Sequence, residues 1–268
     1  MLPLSILPTS LETSFAAQWP PALLARFEAL RDSPLSVETF SFYTSVSAVF
    51  SSRIEGETIE LDSYIRHKRF GGQFLPDYTR KTDDLYDAYR LAQTHPLTPE
   101  NLHQAHELLT RSLLAPPARG RYRQGLLYVT TPDGRIEYVA AAPQLVPTEI
   151  ARLWQDVAQL LHEPLSFAQS FYYAALLHLM LVKIHPYEDG NGRTARLLKK
   201  WFLAQKLGPN AWYLESEKQY YEHHDAYYQN LRRLGLEYAH LEYAHLNYDQ
   251  ALPFLLMLPK ALQHPILA

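Results

Sequence analysis

Apolar positions along most of the chain recur every three or four residues, the interval that lines up one helix face. ALLARFEAL, SYIRHKRF, DDLYDAYRLA, NLHQAHELLTRSLL and VPTEIARLWQDVAQLL all read as helices. Pro20 and Pro21 suit the first turn of the first of these, and Asp32-Ser33-Pro34 stops it. SVETFSFYTSVSAVFSSRIEG reads as a second helix, with Gly56 just past its end, where a left-handed residue is favoured. SFAQSFYYAALLHLMLVKI and LLKKWFLAQKL look like core helices on either side of a polar interruption. LLYVTTPDGRIEYVA breaks the pattern. Its β-branched and aromatic residues flank Pro132-Asp133-Gly134, which predicts a β-hairpin over Leu126 to Val139. One hairpin cannot form a sheet core, so it reads as a flap laid over the helices. LEYAHLEYAHLNYD duplicates five residues. That is too short for a solenoid, and it reads as a slip duplication in a surface helix or loop. The fold expectation is all-α, a helical bundle with one β-hairpin flap.

Composition narrows the function. The chain has 268 residues, 47% of them hydrophobic, enough for a sizeable core. A net charge of -3 with mixed signs argues against a phosphate-tracking surface, so no nucleic acid is expected as main partner. Without cysteine there is no disulfide framework, thiolate nucleophile or Cys-type zinc site. The opening MLPLSILPTS lacks a basic region and is broken by prolines, a poor signal peptide. No apolar run was read as approaching the roughly 20 residues that span a bilayer. The expectation is a soluble cytoplasmic protein with no membrane partner.

The interruption, HPYEDGNGRTAR (His185 to Arg196), concentrates chemistry. Pro186 disfavours helical geometry at His185, placing the imidazole at a helix end where it can face a cleft. Gly190 and Gly192 open backbone conformations closed to other residues. A Gly-Asn-Gly loop entering a helix offers N–H groups and dipole charge to an anion. Arg193 and Arg196 share one face of the first turn. Cations there oppose the dipole, which makes sense if a strongly anionic ligand offsets them. Asp189 supplies an oxygen beside that anion site, the usual way to hold Mg²⁺ with phosphates. Lys200 continues the same side or is simply solvated. An ordinary helix–loop–helix connection would explain any one of these residues, but poorly explains all of them in twelve positions. GNGRTA fits G-x-G-x-x-A formally but follows a helix, not the strand a dinucleotide site needs, and no P-loop occurs.

HPYEDGNGRTAR resembles the signature of Fic-domain proteins, H-x-F-x-[D/E]-G-N-G-R-x-x-R, with Tyr187 as another aromatic in place of Phe. GRYRQ (Gly120 to Gln124) before the hairpin and YYQNL (Tyr227 to Leu231) look like further family features, so the resemblance runs from about Ser51 to about Leu231. It implies packed helices with a hairpin flap, and transfer of AMP from ATP with Mg²⁺ to a Ser, Thr or Tyr hydroxyl of a protein substrate. By the resemblance His185 is the general base and Asp189 the metal ligand. Gly190, Asn191, Gly192, Arg193, Arg196 and Tyr228 bind the nucleotide, with Arg196 at the γ-phosphate. Leu127, Tyr128, Val129, Ile136 and Tyr138 of the flap dock a target segment as an added strand. Related phosphotransferases carry Lys at the second glycine; Gly192 favours nucleotidyl transfer. The resemblance also admits automodification and a homodimer. The expected organisation is one unit over 1–268: N-terminal helices 1–95, a core 96–235 with flap 126–139, and a helical tail 236–268.

Glu55 stands near a predicted helix C-terminus, where the dipole disfavours an acid. A lone glutamate is usually a surface residue. S-x-x-x-E-G, Ser51 to Gly56, nevertheless resembles the family's inhibitory motif, in which Glu55 pairs with Arg196 in place of the γ-phosphate. The resulting expectation is a self-inhibited protein adenylyltransferase. The alternatives are an enzyme that removes AMP, with Glu55 orienting water, and a non-catalytic helical interaction module. A metal hydrolase is a weaker rival, because His178, His185 and the HHD run at His223 lack H-E-x-x-H spacing. His178, Tyr220, Tyr221, Tyr227 and Tyr228 read mostly as packing residues.

Overall fold

The computed structural model describes residues 2–130, 136–235 and 243–263. Helices dominate them. Two short helices, α1 (Glu12–Ala17) and α2 (Leu23–Glu28), precede α3 (Phe42–Ile54). Ser41 caps α3 by accepting from the Thr44 N–H at 3.3 Å, and Gly56 follows with φ 89°. Every α3 residue but Arg53 is buried, so α3 is an interior helix and not an amphipathic surface one. Then come α4 (Leu61–Phe70), α5 (Pro76–Thr94) and α6 (Pro99–Leu109), the last capped by Thr98. After a long connection follow α7 (Val146–His162), α8 (Phe167–Ile184) and α9 (Asn191–Leu207). Smaller helices α10 (Ser216–Glu222), α11 (His224–Arg232), α12 (Leu252–Leu255) and α13 (Met257–Lys260) close the chain.

The centre is the α8–α9 pair, with α1, α3, α5, α6 and α7 packed around it. A reciprocal Ser166–Gln169 capping box starts α8. By length and composition alone α8 could cross a membrane, but 83% of it is buried inside the fold, so its apolar character belongs to the core. That run is longer than the sequence reading allowed. The N-terminal arm is tied on by Asp156 of α7, whose carboxylate accepts the Ser5, Ile6 and Leu7 N–H groups at 2.5, 2.8 and 2.8 Å.

The fold-class expectation needs one correction: the bundle is all-α and has no hairpin flap. The segment contains only the short stretches β1 (Tyr128–Thr130) and β2 (Ile136–Val139). Their partners are Tyr128–Val139, Val129–Tyr138 and Thr130–Ile136, with a register shift between Val129 and Thr130. Three pairs with a register shift among them make neither a regular hairpin nor a sheet layer. The predicted turn, Pro132-Asp133-Gly134, lies outside the described residues, as does most of the duplicated LEYAH segment. Leu127, Tyr128, Val129, Ile136 and Tyr138, expected to dock a target segment, fall in or beside these two stretches.

Charge is also buried. Lys199 and Lys200 of α9 are fully inaccessible and meet Glu217 of α10 at 3.2 and 2.5 Å. Lys200 also donates to Ser47 Oγ of α3 at 2.6 Å and the Leu214 carbonyl at 2.7 Å. Lys200 is therefore an internal tie among α3, α9 and α10, not a solvated side chain.

Candidate active site

The polar interruption forms the α8–α9 turn. His185 ends α8 in the left-handed region, φ 54° and ψ 60°, as the one non-glycine with positive φ among the described residues. That conformation costs an ordinary residue about 1–2 kcal/mol. Pro186 keeps His185 from continuing the right-handed helix. The His185 Nδ1–H donates to the Val182 carbonyl at 3.0 Å, which leaves the basic lone pair on Nε2. Burial pushes the imidazole down to about 4; the Val182 bond opposes this and the nearby Arg123 charge adds to it. At neutral pH His185 is uncharged, the form a base needs.

Loop residues divide their work. The Asn191 amide donates to the Tyr187 carbonyl at 2.8 Å, and its oxygen accepts the Tyr187 N–H at 2.9 Å. Its side chain thus shapes the loop, next to the first-turn N–H groups, which have no intrahelical acceptor. Gly190 sits at φ 78°, and a Cβ there would lie 2.8 Å from Thr110 Cγ2, so both conformation and space require glycine. Asp189 is exposed, with its Oδ1 accepting the Gly190 N–H at 2.6 Å.

His106 of α6 carries no motif, and the sequence reading passed over it. Its ring stacks on Tyr187 with centroids 3.7 Å apart. Its Nδ1 accepts the Gly120 N–H at 2.9 Å, so Nε2–H is the donor to the Asp189 carbonyl, also at 2.9 Å. Burial holds its pKa down at about 4, consistent with that neutral tautomer. His106 thereby fixes the loop that presents Asp189.

The arginines of α9 face the end of α3. Arg196 is 1% exposed. Its Nε donates to Ser51 Oγ at 2.8 Å, and Nη2 to the Ser51 carbonyl at 3.1 Å and Glu55 Oε1 at 2.6 Å. Burial raises the Glu55 carboxyl, but the Arg196 and Arg193 charges outweigh it and hold the group below its ordinary range. Glu55 Oε1 also occupies the space a Cβ on Gly192 would need, 2.5 Å away. A second acid, unmarked by any motif, stands beside the first: Glu57 Oε1 lies 3.9 Å from Arg193 Nη2 and 2.6 Å from Lys81 Nζ. The Arg193 Nε is buried and has no hydrogen-bond acceptor among the described residues.

Behind Arg196, its Nη1 reaches the Tyr227 hydroxyl at 3.5 Å, and His178 Nε2 bonds that hydroxyl at 3.0 Å. His178, Tyr220 and Tyr227 are buried packing residues. The Tyr228 hydroxyl donates to the Ile54 carbonyl at 3.4 Å, so this expected nucleotide contact touches the end of α3. The turn therefore brings together a neutral imidazole, a carboxylate, a helix N-terminus and two arginines, with Ser51 and Glu55 laid against the second arginine and Gly56 just beyond them.

A model of the Fic/DOC family matches residues 96–203. Among curated proteins, protein adenylyltransferase Fic of Drosophila erecta is 38% identical over 78 residues, 29% of this chain and 16% of that protein. The protein of that name from Nematostella vectensis is 34% identical over 113 residues, 40% of this chain and 23% of that protein. The matches thus span less than a quarter of the length of these curated relatives. In fold, the chain is similar to a Fic family protein from Desulfovibrio desulfuricans G20, with a TM-score of 0.74 at 20% identity, covering 98% of this chain and 76% of that one. Fic-1 from C. elegans follows the same fold with a TM-score of 0.62 at 19% identity, covering 94% of this chain and 68% of that one. His185 to Arg196 fall inside the matched family region and Glu55 outside it. The match to the Fic/DOC-family model thus covers the α6–α9 part of the chain, which carries the candidate site.

Proposed function

We propose that this chain is a self-inhibited protein adenylyltransferase. In the transfer, a hydroxyl oxygen of a target Ser, Thr or Tyr attacks the α-phosphorus of ATP. His185 Nε2 accepts the hydroxyl proton, the bond to the β-phosphate bridging oxygen breaks, and pyrophosphate leaves. Atoms and charge balance without any further reactant. The α9 N-terminus and Arg193 offset the charge of the phosphates, and Arg196 takes the γ-phosphate once Glu55 withdraws. Such preorganised donors act on charge that develops in the transition state. Asp189 is the residue that would hold Mg²⁺. No group of three or more His, Cys, Asp or Glu forms a metal cage among the described residues. One exposed carboxylate fits an ion held jointly by protein and phosphates. When bound, Mg²⁺ supplies charge neutralisation to the phosphates. Self-modification fits the same chemistry, and a homodimer remains compatible with it.

The observation that carries the reading is the 2.6 Å contact of Glu55 with Arg196, the last residue of the His185–Arg196 stretch whose chemistry suits a nucleotide. A carboxylate on the buried arginine mimics an anionic ligand and excludes one.

The test uses ATP labelled on either the α- or the γ-phosphate, offered to Glu55→Gly with a cell lysate as the source of hydroxyls. Protein-bound label from α-ATP but not γ-ATP is expected, with wild type at least about tenfold slower, the factor that about 1.4 kcal/mol gives. Label carried from γ-ATP would mean phosphate transfer and overturn the reading.

A further inference from the structure

We infer that Arg123 is a positioning residue for the His185 base, fixing its left-handed backbone and tying it to both ends of the 125–141 segment. This rests on His185 being the base of the proposed transfer. The sequence reading quoted Arg123 only as part of GRYRQ and gave it no role.

Arg123 is 6% exposed. Its Nε donates to the His185 carbonyl at 2.7 Å, and Nη2 reaches the Ile184 carbonyl at 3.4 Å. Its own backbone N–H donates to the Pro186 carbonyl at 2.9 Å. The peptide plane carrying the Ile184 carbonyl sets one side of the His185 φ rotation. The plane carrying the His185 carbonyl sets the far side of its ψ rotation. Holding both planes, and the next one through Pro186, fixes the backbone of a residue whose own preference is against this conformation. With the ring then anchored by Nδ1 on Val182, the direction of Nε2 is determined.

Two further bonds give the clamp reach. Nη1 donates to the Gly125 carbonyl at 2.6 Å and Nη2 to the Ala141 carbonyl. One planar fork therefore registers the base against the start and the finish of the segment between them. Lysine, with a compact ammonium on a flexible stem, cannot hold these diverging acceptors at once. The charge suits the place: the carbonyls ending α8 carry the negative end of its dipole. The same charge disfavours protonation of the imidazole and so supports the basic form.

The test compares Glu55→Gly with the doubles that add Arg123→Lys, Arg123→Met or Arg123→Ala. Adduct formation is followed in a single turnover, MgATP affinity by calorimetry, and His185 geometry by crystallography. Loss of positioning predicts a rate lower by about 100-fold in Arg123→Met, the size expected for a base misplaced by about 1 Å. ATP affinity should stay within about twofold, the split that marks a loss confined to the transition state. Arg123→Lys should fail nearly as badly although its charge is kept. Free guanidinium ion should restore part of the Arg123→Ala rate. An unchanged rate, full activity in Arg123→Lys, or equal losses of rate and ATP affinity would overturn the inference. If Glu55→Gly itself transfers nothing, the proposed function fails and the crystals decide this point separately. A His185 that leaves the left-handed region in Arg123→Met supports the clamp, and one that keeps φ near its present value refutes it.

Discussion

Glu55 Oε1 and a Cβ on residue 192 would compete for one volume, since they would lie 2.5 Å apart. Glycine at 192 is thus required by the closed pose, not by backbone conformation. Gly192→Ala should destabilise the wild type by about 1–3 kcal/mol, the usual result of overpacking. In Glu55→Gly the obstacle is gone, so the same substitution should cost much less. Denaturant melts of the four proteins give the coupling directly; additive effects would mean that Glu55 does not sit where it is described. The Glu55–Arg196 pair was legible in the sequence because both residues stand in spaced motifs, 141 positions apart. Glu57 and His106 were not. A single acid on Arg193 and a single histidine under Asp189 carry no spacing signal, and only packing of α3 and α6 against the loop reveals them. Asn191, expected at the phosphates, also holds the loop through two bonds to the Tyr187 backbone, which its sequence position did not reveal.

At the scale of the element, the end of α3 is latched at several points. Arg53 Nη2 donates to the Tyr221 hydroxyl at 2.7 Å, and its guanidinium lies 4.4 Å from the centre of that ring. Tyr228 holds the Ile54 carbonyl, and the Lys81–Glu57 pair holds the turn that follows. These contacts hold the end of α3 that carries Glu55, and the Arg53–Tyr221 contact does so away from Arg193 and Arg196. Arg53→Ala should therefore raise the rate of adduct formation several-fold, an increase of about 1 kcal/mol in the population of the open form. It should remain below Glu55→Gly. Initial rates with labelled ATP check this, and an Arg53→Ala rate equal to wild type would show that α3 is not latched there. A helix end was readable where a residue with a mechanism marks it, as Gly56 does beyond α3, whereas the caps Ser41 and Ser166 emerge only from the structure. The hairpin was misread because alternating β-branched and aromatic residues report strand preference but not register. The slip after Val129 is invisible in composition.

At the scale of the whole molecule, helices close around buried titratable groups. Burial holds His106 and His185 at about 4 and His178 well below its ordinary value. In the unfolded chain each protonates near 6.5. Between these values the unfolded state binds more protons, so stability is lost as pH falls from about 6.5 towards 4. Glu217, which burial raises but Lys199 and Lys200 hold down at about 2, acts in the same direction, but only below the usual carboxylate range. At pH 5 the loss is on the order of 2 kcal/mol per buried histidine, enough to lower Tm by roughly 10 °C relative to pH 7. Calorimetry at a series of pH values reads this; a flat Tm from pH 7 to 5 would mean the histidines are not buried as neutral rings. The helical class and the central position of α8 could be read from apolar spacing. The burial of Lys199, Lys200 and Glu217 could not, because charge on a helix normally marks its solvated face.

The central claim joins the base, the arginine site and the α3 acid in one braked transfer, and intact mass tests it most directly. Wild type, Glu55→Gly and Glu55→Gly with His185→Ala are incubated with MgATP and weighed. The account predicts a gain of one or more AMP units on Glu55→Gly and none on the double substitution, with wild type at or near its starting mass. Equal gains on wild type and Glu55→Gly would contradict the brake, and a gain that survives His185→Ala would contradict the base.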